Sequence, residues 1–335
     1  MPAQSEFDLI NQYFNRPVPT GMLGVGDDCA LLTVPMGCEL AVSTDMLVQG
    51  QHFLPDVDPR SLGHKALAVN LSDLAAMGAR PLACTLALGL PRIDDTWLQG
   101  FSEGFHALAQ QAGCPLVGGD TTRDPAGVVI SITVMGEVRP TRALRRSGAR
   151  EGDDIWVSGT LGAAYVAVQL LLGRWPADAE RLRQCQPAMD WPQPRLTLGQ
   201  ALGGVAHAAI DISDGLLQDL GHILEQSRCG ARLSLEALPV DASLQGLDPA
   251  LCHEAVLGGG DVYELCFTAP PLHREQIEAL GCRLEVPLTR IGAIVRQRGV
   301  RVLDEQGNDV PVTLRGFDHF ADRPAGGASP SASST

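Results

Sequence analysis

No two of the nine cysteines stand as a CxxC pair, so neither a zinc site nor a redox dithiol is indicated. They read as small buried hydrophobes of a cytoplasmic chain. Lysine is almost missing: of 25 strong cations only Lys65 is a lysine, a pattern that fits a high-GC coding bias. Positive charge is short altogether. A formal net charge of −14 argues against nucleic acid as the main partner, because a phosphate backbone calls for Lys and Arg. No run approaches the roughly 18 uninterrupted apolar residues of a membrane helix. The first 14 residues carry Glu6 and Asp8 and lack a basic-then-apolar signal pattern. The expectation is a cytoplasmic protein without a membrane or nucleic-acid partner. Three nucleotide signatures are also missing, GxxxxGK[ST], HRDxxxxN and GxGxxG, so any ATP site is of another type.

What is present suffices for two domains with full cores: 335 residues, 45% apolar and 19% charged. The spacing predicts a helix from Ser5 to Phe14, capped by Ser5, with Phe7, Ile10 and Phe14 on one face. Residues 39–44 read as a strand delivering Thr44 and Asp45 at its C-terminal end. A helix over 61–77 stops at Gly78 and Pro81. Strands near 84–89, 115–117 and 128–138 surround a helix over 94–111. The basic, turn-rich segment 139–153 reads as a joint between an N-terminal domain, 1–138, and a C-terminal domain, 154–320. Beyond it come strands at IWVSG, 208–213, 262–268 and 289–295, and helices over 162–172 and 214–226. The tail, 321–335, is rich in Ala, Ser, Gly and Pro and reads as disordered. Alternating helices and strands put the chain in the α/β class.

The acids gather where a solvated face would not put them. Asp27 and Asp28 follow Gly24-Val25-Gly26, and Asp45 ends Ser43-Thr44-Asp45. Asp73 interrupts an apolar helix, and Asp120 follows Gly118-Gly119. Asp211 and Asp214 bracket Ile212-Ser213. Taken singly, each has a plainer explanation: an Asp beside Gly is usually a turn or a cap, Asp214 could cap its helix, and Asp73 could pair with an arginine. Five such sites together point elsewhere. Isolated carboxylates in apolar elements are costly unless paired or metal-bound. Hard oxygen ligands suit magnesium, which keeps waters and bridges to phosphates. Gly118-Gly119 and Gly258-Gly259-Gly260 permit close backbone approach by a ligand. His52, Lys65 and Arg146 are candidate cationic contacts to phosphate.

The blocks GVGDDCALL (24–32), STDMLVQGQHFLPD (43–56), KALAVNLSDLAAMGARP (65–81), VGGDTTR (117–123), RSGA (146–149), DISDGLLQDLGHI (211–223) and YELCFT (263–268) occur in one order. Together with Gly316-Phe317-Asp318-His319-Phe320 they closely resemble the bacterial thiamine-monophosphate kinases, over about residues 5–320. The resemblance implies the two-domain aminoimidazole ribonucleotide synthetase-like fold with mixed sheets (α+β), and a homodimer made through the N-terminal domain. It implies that ATP and thiamine monophosphate give ADP and thiamine diphosphate, with several Mg2+ ions. Positions matching metal ligands are Asp28, Ser43, Thr44, Asp45, Asp73, Asp120, Asp211 and Asp214. Gly119, Asp120, Arg146 and Ser213 match nucleotide contacts, and His52, Glu264 and Phe317 match thiamine-phosphate contacts. The acting groups in this picture are Asp45, Asp73 and Asp120, with Arg146 stabilising the transferring charge.

The chain departs from the resemblance in places. Asp261 stands for a Glu and Val262 for an Asp of the usual GGEDYEL, and Phe317 for a Tyr or Trp, which keeps stacking and loses a hydroxyl. Within the superfamily, selenophosphate synthetase carries a reactive Cys or selenocysteine and a Lys in its Gly-rich N-terminal segment, and no Cys or Lys precedes Asp27 here. Aminoimidazole ribonucleotide synthetase fits the 43–56 and 65–81 blocks less well. A nucleotide sensor without catalysis has no need of the full acidic set.

Overall fold

The computed structural model describes residues 5–26 and 28–312. Phe317, the 316–320 block and the tail lie outside the described residues, as does Asp27.

The first turns differ from the periodic expectation. Ser5 Oγ does accept the Asp8 amide at 3.2 Å and start helix α1 (Glu6–Leu9). From Ile10 to Phe14, however, the chain widens into a π-turn, with Asn15 N–H bonded to Ile10 O. The extra residue per turn rotates the apolar face. Leu9, Tyr13 and Phe14 are buried, and Phe7 is 73% exposed, not on their face.

The first sheet contains β1 (Glu39–Val48), β2 (Arg80–Leu90), β3 (Leu116–Arg123) and β4 (Val129–Val138), in the order β1-β4-β2-β3. All neighbours are antiparallel except β2 and β3. Helices α2 (Pro59–Ala76) and α3 (Asp95–Ala112) pack against each other, and α2 lies on the sheet. Asp58 caps α2 by accepting the amides of Arg60 and Ser61, and Pro59 sits at its first position, where a missing N–H costs nothing. Nearly every residue of α2 is buried. It is buried all round, its polar residues included, because it is covered by β1, β2 and β4, by α3, and by the second half of the chain.

That half holds a six-stranded sheet. Its elements are β5 (Asp154–Ser158), α4 (Ala163–Leu171), α5 (Ala179–Asp190), α6 (Leu196–Leu202), β6 (Ala208–Asp211), α7 (Leu216–Ser227), β7 (Gly230–Ser234), α8 (Pro249–Gly258), β8 (Leu265–Ala269), α9 (Arg274–Leu284), β9 (Leu288–Val295) and β10 (Gly299–Leu303). The strand order is β10-β7-β9-β5-β8-β6, with only β10 and β7 parallel. Both sheets are mixed, as the resemblance implied. Three apolar cores result: one per sheet, and a third in which Ala75 and Ala76 of α2 meet Trp156, Leu198 and Phe267. The third makes the junction between the halves apolar, so α2 is a shared wall.

Candidate active site

Carboxylates from three elements converge beside α2. Asp45 comes from β1, which runs on to Val48, so this residue lies inside the strand and not at its end. Its amide donates to Asn70 Oδ1 at 2.9 Å, and Asn70 donates in turn to Ala66 O. This satisfies a backbone group on an edge strand and fixes Asp45 against the helix. One turn further along α2, Asp73 accepts a hydrogen bond from Ser43 Oγ. Asp211, at the last position of β6 in the other half, accepts from Ser72 Oγ at 2.7 Å. Asp214 follows in the turn after β6, its Oδ2 bonded to Gln218 Nε2 at 3.1 Å.

These groups repel one another. Burial, then the charges of Asp73 and Asp214, push the Asp45 carboxyl up to about 6. Burial raises Asp73 too, against the pull of the Ser43 hydroxyl and the Arg146 charge. Burial, with the charges of Asp73, Asp219 and Asp45, drives Asp211 well up despite its bond from Ser72. Arg146 pulls on Asp73, and among the described residues a single guanidinium leaves the set under-compensated. Hard oxygen donors with surplus negative charge are what a magnesium-type cation requires, so the donor chemistry fits. Among the described residues no group of three His, Cys, Asp or Glu side chains is placed to hold a metal ion by itself. Such an ion would therefore complete its shell with water or phosphate oxygens.

The remaining matched positions divide. Thr44 alternates to the other face of β1, its Oγ1 2.8 Å from Thr133 Oγ1, so its side chain points away from Asp45. Asp28 and Asp120 are exposed, and no hydrogen bond or ion pair joins either to the cluster. Gly119 has φ 149°, and a Cβ there would stand 1.8 Å from Leu86 O, so parallel packing of β3 on β2 already demands glycine. His52 accepts the Val48 amide at Nδ1, 3.0 Å, which places the proton of a neutral ring on Nε2. Arg146 begins a 3-10 turn clamped by Ser227, whose Oγ donates to Arg146 O at 2.8 Å and accepts from Ala149 N.

Glu264 lies outside β8, in the coil that leads to it. It is buried, and Arg195 holds both its oxygens while Ser158 Oγ donates to one of them. With Thr160, Trp191, Arg195 and Val262 it lines a cavity of about 170 Å³. Lys65 is committed to an ion pair with Asp261, not left open for phosphate.

Sequence reasoning missed several members. Asp219, not Asp214, organises the turn after β6: its Oδ2 accepts the amides of Ser213, Asp214 and Gly215. Its place four residues past Gly215 within DISDGLLQDL was the available signal. Asn70 and Ser72 were visible within NLSD only as polar interruptions of an apolar helix. Nothing local marked Arg195, which reaches Glu264 across 69 residues.

The family described as AIR synthase related protein matches this chain twice, its N-terminal domain at residues 26–138 and its C-terminal domain at 136–305. A thiamine-monophosphate kinase of Salmonella typhimurium is 46% identical over 95% of this chain and 99% of its own length. A crystal structure of thiamine-monophosphate kinase from Stenotrophomonas maltophilia superposes with a TM-score of 0.80 at 44% identity, covering 87% of this chain and 93% of that one. A structure described as AaThiL complexed with AMPPCP and TMP superposes with a TM-score of 0.74 at 29% identity, covering 86% and 89%.

Proposed function

The chain belongs to the AIR synthase-related family and, within it, to the thiamine-monophosphate kinases, and on that premise we propose that it phosphorylates thiamine monophosphate with ATP. A phosphate oxygen of the acceptor attacks the terminal phosphorus of ATP, the bond to the ADP oxygen breaks, and thiamine diphosphate and ADP leave. The convergence of Asp45, Asp73 and Asp211 carries this reading. A site this negative cannot receive two phosphorylated substrates alone; a relative named thiamine-monophosphate kinase aligns over 99% of its length, and a similar structure is described as complexed with AMPPCP and TMP.

Asp45, Asp73, Asp211 and Asp214 would hold Mg2+, with Asp28, Ser43, the Thr44 carbonyl and Asp120 as further donors. The bound ions would neutralise both phosphates and align them for in-line transfer. The chain's own groups do the rest. The acceptor oxygen is already anionic, so no strong base is needed. Ser43 and Ser72 orient the carboxylates of Asp73 and Asp211. Arg146 faces the transferring phosphoryl group and offsets its charge. Gly119, Asp120 and Ser213 contact the nucleotide, and Asp219 fixes the Ser213 backbone. His52 donates from Nε2 to the acceptor's phosphate. Glu264 borders the pocket for the pyrimidine end; Phe317, which the resemblance assigns to a ring face, lies outside the described residues.

The same reading includes a homodimer. The outer face of β1 presents Leu40, Val42 and Met46, each about half exposed, at the open edge of the first sheet. An apolar strip on an edge strand, broken only by Thr44, is costly to leave wet, and a second copy would cover it. We place the protein in the cytoplasm, where its co-substrate ATP is abundant; among the described residues no helix is long and apolar enough to cross a membrane.

The decisive experiment incubates the purified chain with ATP, magnesium and thiamine monophosphate and follows thiamine diphosphate by chromatography. Product only from the monophosphate, and only with magnesium, is expected. Product from free thiamine, or none from folded protein that binds ATP, would overturn the assignment.

A further inference from the structure

The one lysine of a chain otherwise supplied with arginine is spent on a largely covered ion pair. Lys65 Nζ meets the Asp261 carboxylate, 196 residues away in sequence, and joins the first half of α2 to the segment 259–264 of the other half. Lysine brings a compact charge on a flexible stem, where arginine would bring a planar fork.

That segment is under tension. Asp261 has φ 66° and Tyr263 φ 56°, left-handed values that are strained for a residue with a side chain. Three backbone bonds hold it to the end of β6 and the turn beyond: Asp261 N to Ser213 O at 2.7 Å, Tyr263 N to Ile212 O at 2.8 Å, and Ile212 N to Glu264 O at 2.8 Å. Gly260 lies so close that a Cβ would stand 2.4 Å from Ser213 O. The Tyr263 side chain packs against the first sheet's core, across the junction.

The same segment walls the cavity described above, through Val262 and Glu264. The residue before Lys65 braces other lining residues: His64 Nε2 lies 2.8 Å from Pro192 O, and its ring centre 5.1 Å from that of Trp191. Eight residues further along α2, about 12 Å at helical rise, stands Asp73.

We propose that Lys65 is a positioning residue for the acceptor half of the site: its pair with Asp261 sets the segment 259–264, and the cavity it walls, at a fixed distance from Asp73. The proposal rests on the kinase reading, with the acceptor in that cavity.

The test is a double-mutant cycle in the full chain with Lys65→Met and Asp261→Asn, asparagine being chosen because it tolerates the left-handed backbone. Each single change should raise KM for thiamine monophosphate roughly tenfold while KM for ATP stays within about twofold, and the double variant should be no worse than the weaker single. Asp261→Glu, which keeps the charge, should stay near the parent, and Lys65→Arg should behave like Lys65→Met. Additive losses, or equal rises in both KM values, would overturn the proposal. Hydrogen exchange at the amides of 261 and 263 needs no turnover. Faster exchange in Lys65→Met supports the pair's role, and unchanged exchange removes it. A parent protein that makes no thiamine diphosphate would instead defeat the kinase reading, with the exchange result still deciding what the pair does.

Discussion

Asp219 reaches back six residues, past the start of α7, to Ser213 and accepts its amide at 3.0 Å, and the same Oδ2 atom accepts the amides of Asp214 and Gly215. Burial pushes this carboxyl up to about 6 even with three donors upon it. A single oxygen carries the whole arrangement, so Asn, which keeps one carbonyl oxygen, should replace it better than Ala does. Asp219→Ala should cost about 2–4 kcal/mol in denaturant unfolding and weaken ATP binding. Asp219→Asn should cost less than half as much. Equal losses for the two variants would show that the negative charge, not the acceptor geometry, is what counts.

Asp45 should trade stability for activity. Its folded carboxyl is raised from the usual range to about 6, so the folded state resists ionising it. A raised carboxyl penalises the fold fully above that value, and the penalty fades as pH falls towards 4. Asp45→Asn should therefore stabilise the magnesium-free protein by about 1–3 kcal/mol at pH 7 and hardly at all at pH 4. The same variant should lose at least about a hundredfold in kcat. Near-normal turnover would remove Asp45 from the centre of the site.

Asp154 behaves in the opposite sense. Burial alone would raise it, but the Arg274 and Arg290 guanidinium groups outweigh that and hold its carboxyl below the ordinary value. Its contribution is present above the unfolded-state value and is lost as pH drops through the folded one. Asp154→Asn should lower stability at neutral pH and flatten the acid limb of a Tm-against-pH curve. An acid limb as steep as the parent's would mean that other carboxylates govern it.

The outer face of β1 gives a prediction about assembly. Val42→Glu with Met46→Glu places charge on a strip more than half exposed in the single chain, 57% and 55%. Light scattering should find the parent dimeric and the variant monomeric, with the circular dichroism of a folded protein. A dimer that survives both changes would require another interface.

Much of the fold was legible because its elements follow local rules. The strand β4 and the glycine-terminated α2 appear in the sequence within two residues of where they lie. The run ELAVSTDMLV was read as ending near Asp45, since an acid looks like punctuation; the strand continues because Asn70, from a different element, receives the Asp45 amide. The first helix was misjudged because a π-turn changes the period on which the reading depends.

The sequence by itself determined which residues are chemically able to do this work: the acids beside glycine and serine, the missing P-loop, and the ordered blocks that announce the family. Tertiary structure alone decided which of them meet. Asp45, Asp73 and Asp211 converge because α2 is buried on every side and both halves of the chain close upon it. The pair Lys65–Asp261 exists only across that closure, and Arg195–Glu264 only once the second half has packed. Spacing along a chain fixes which side chains share a face, but contacts across 69 or 196 residues depend on which faces are buried together, and that is settled only when the cores pack.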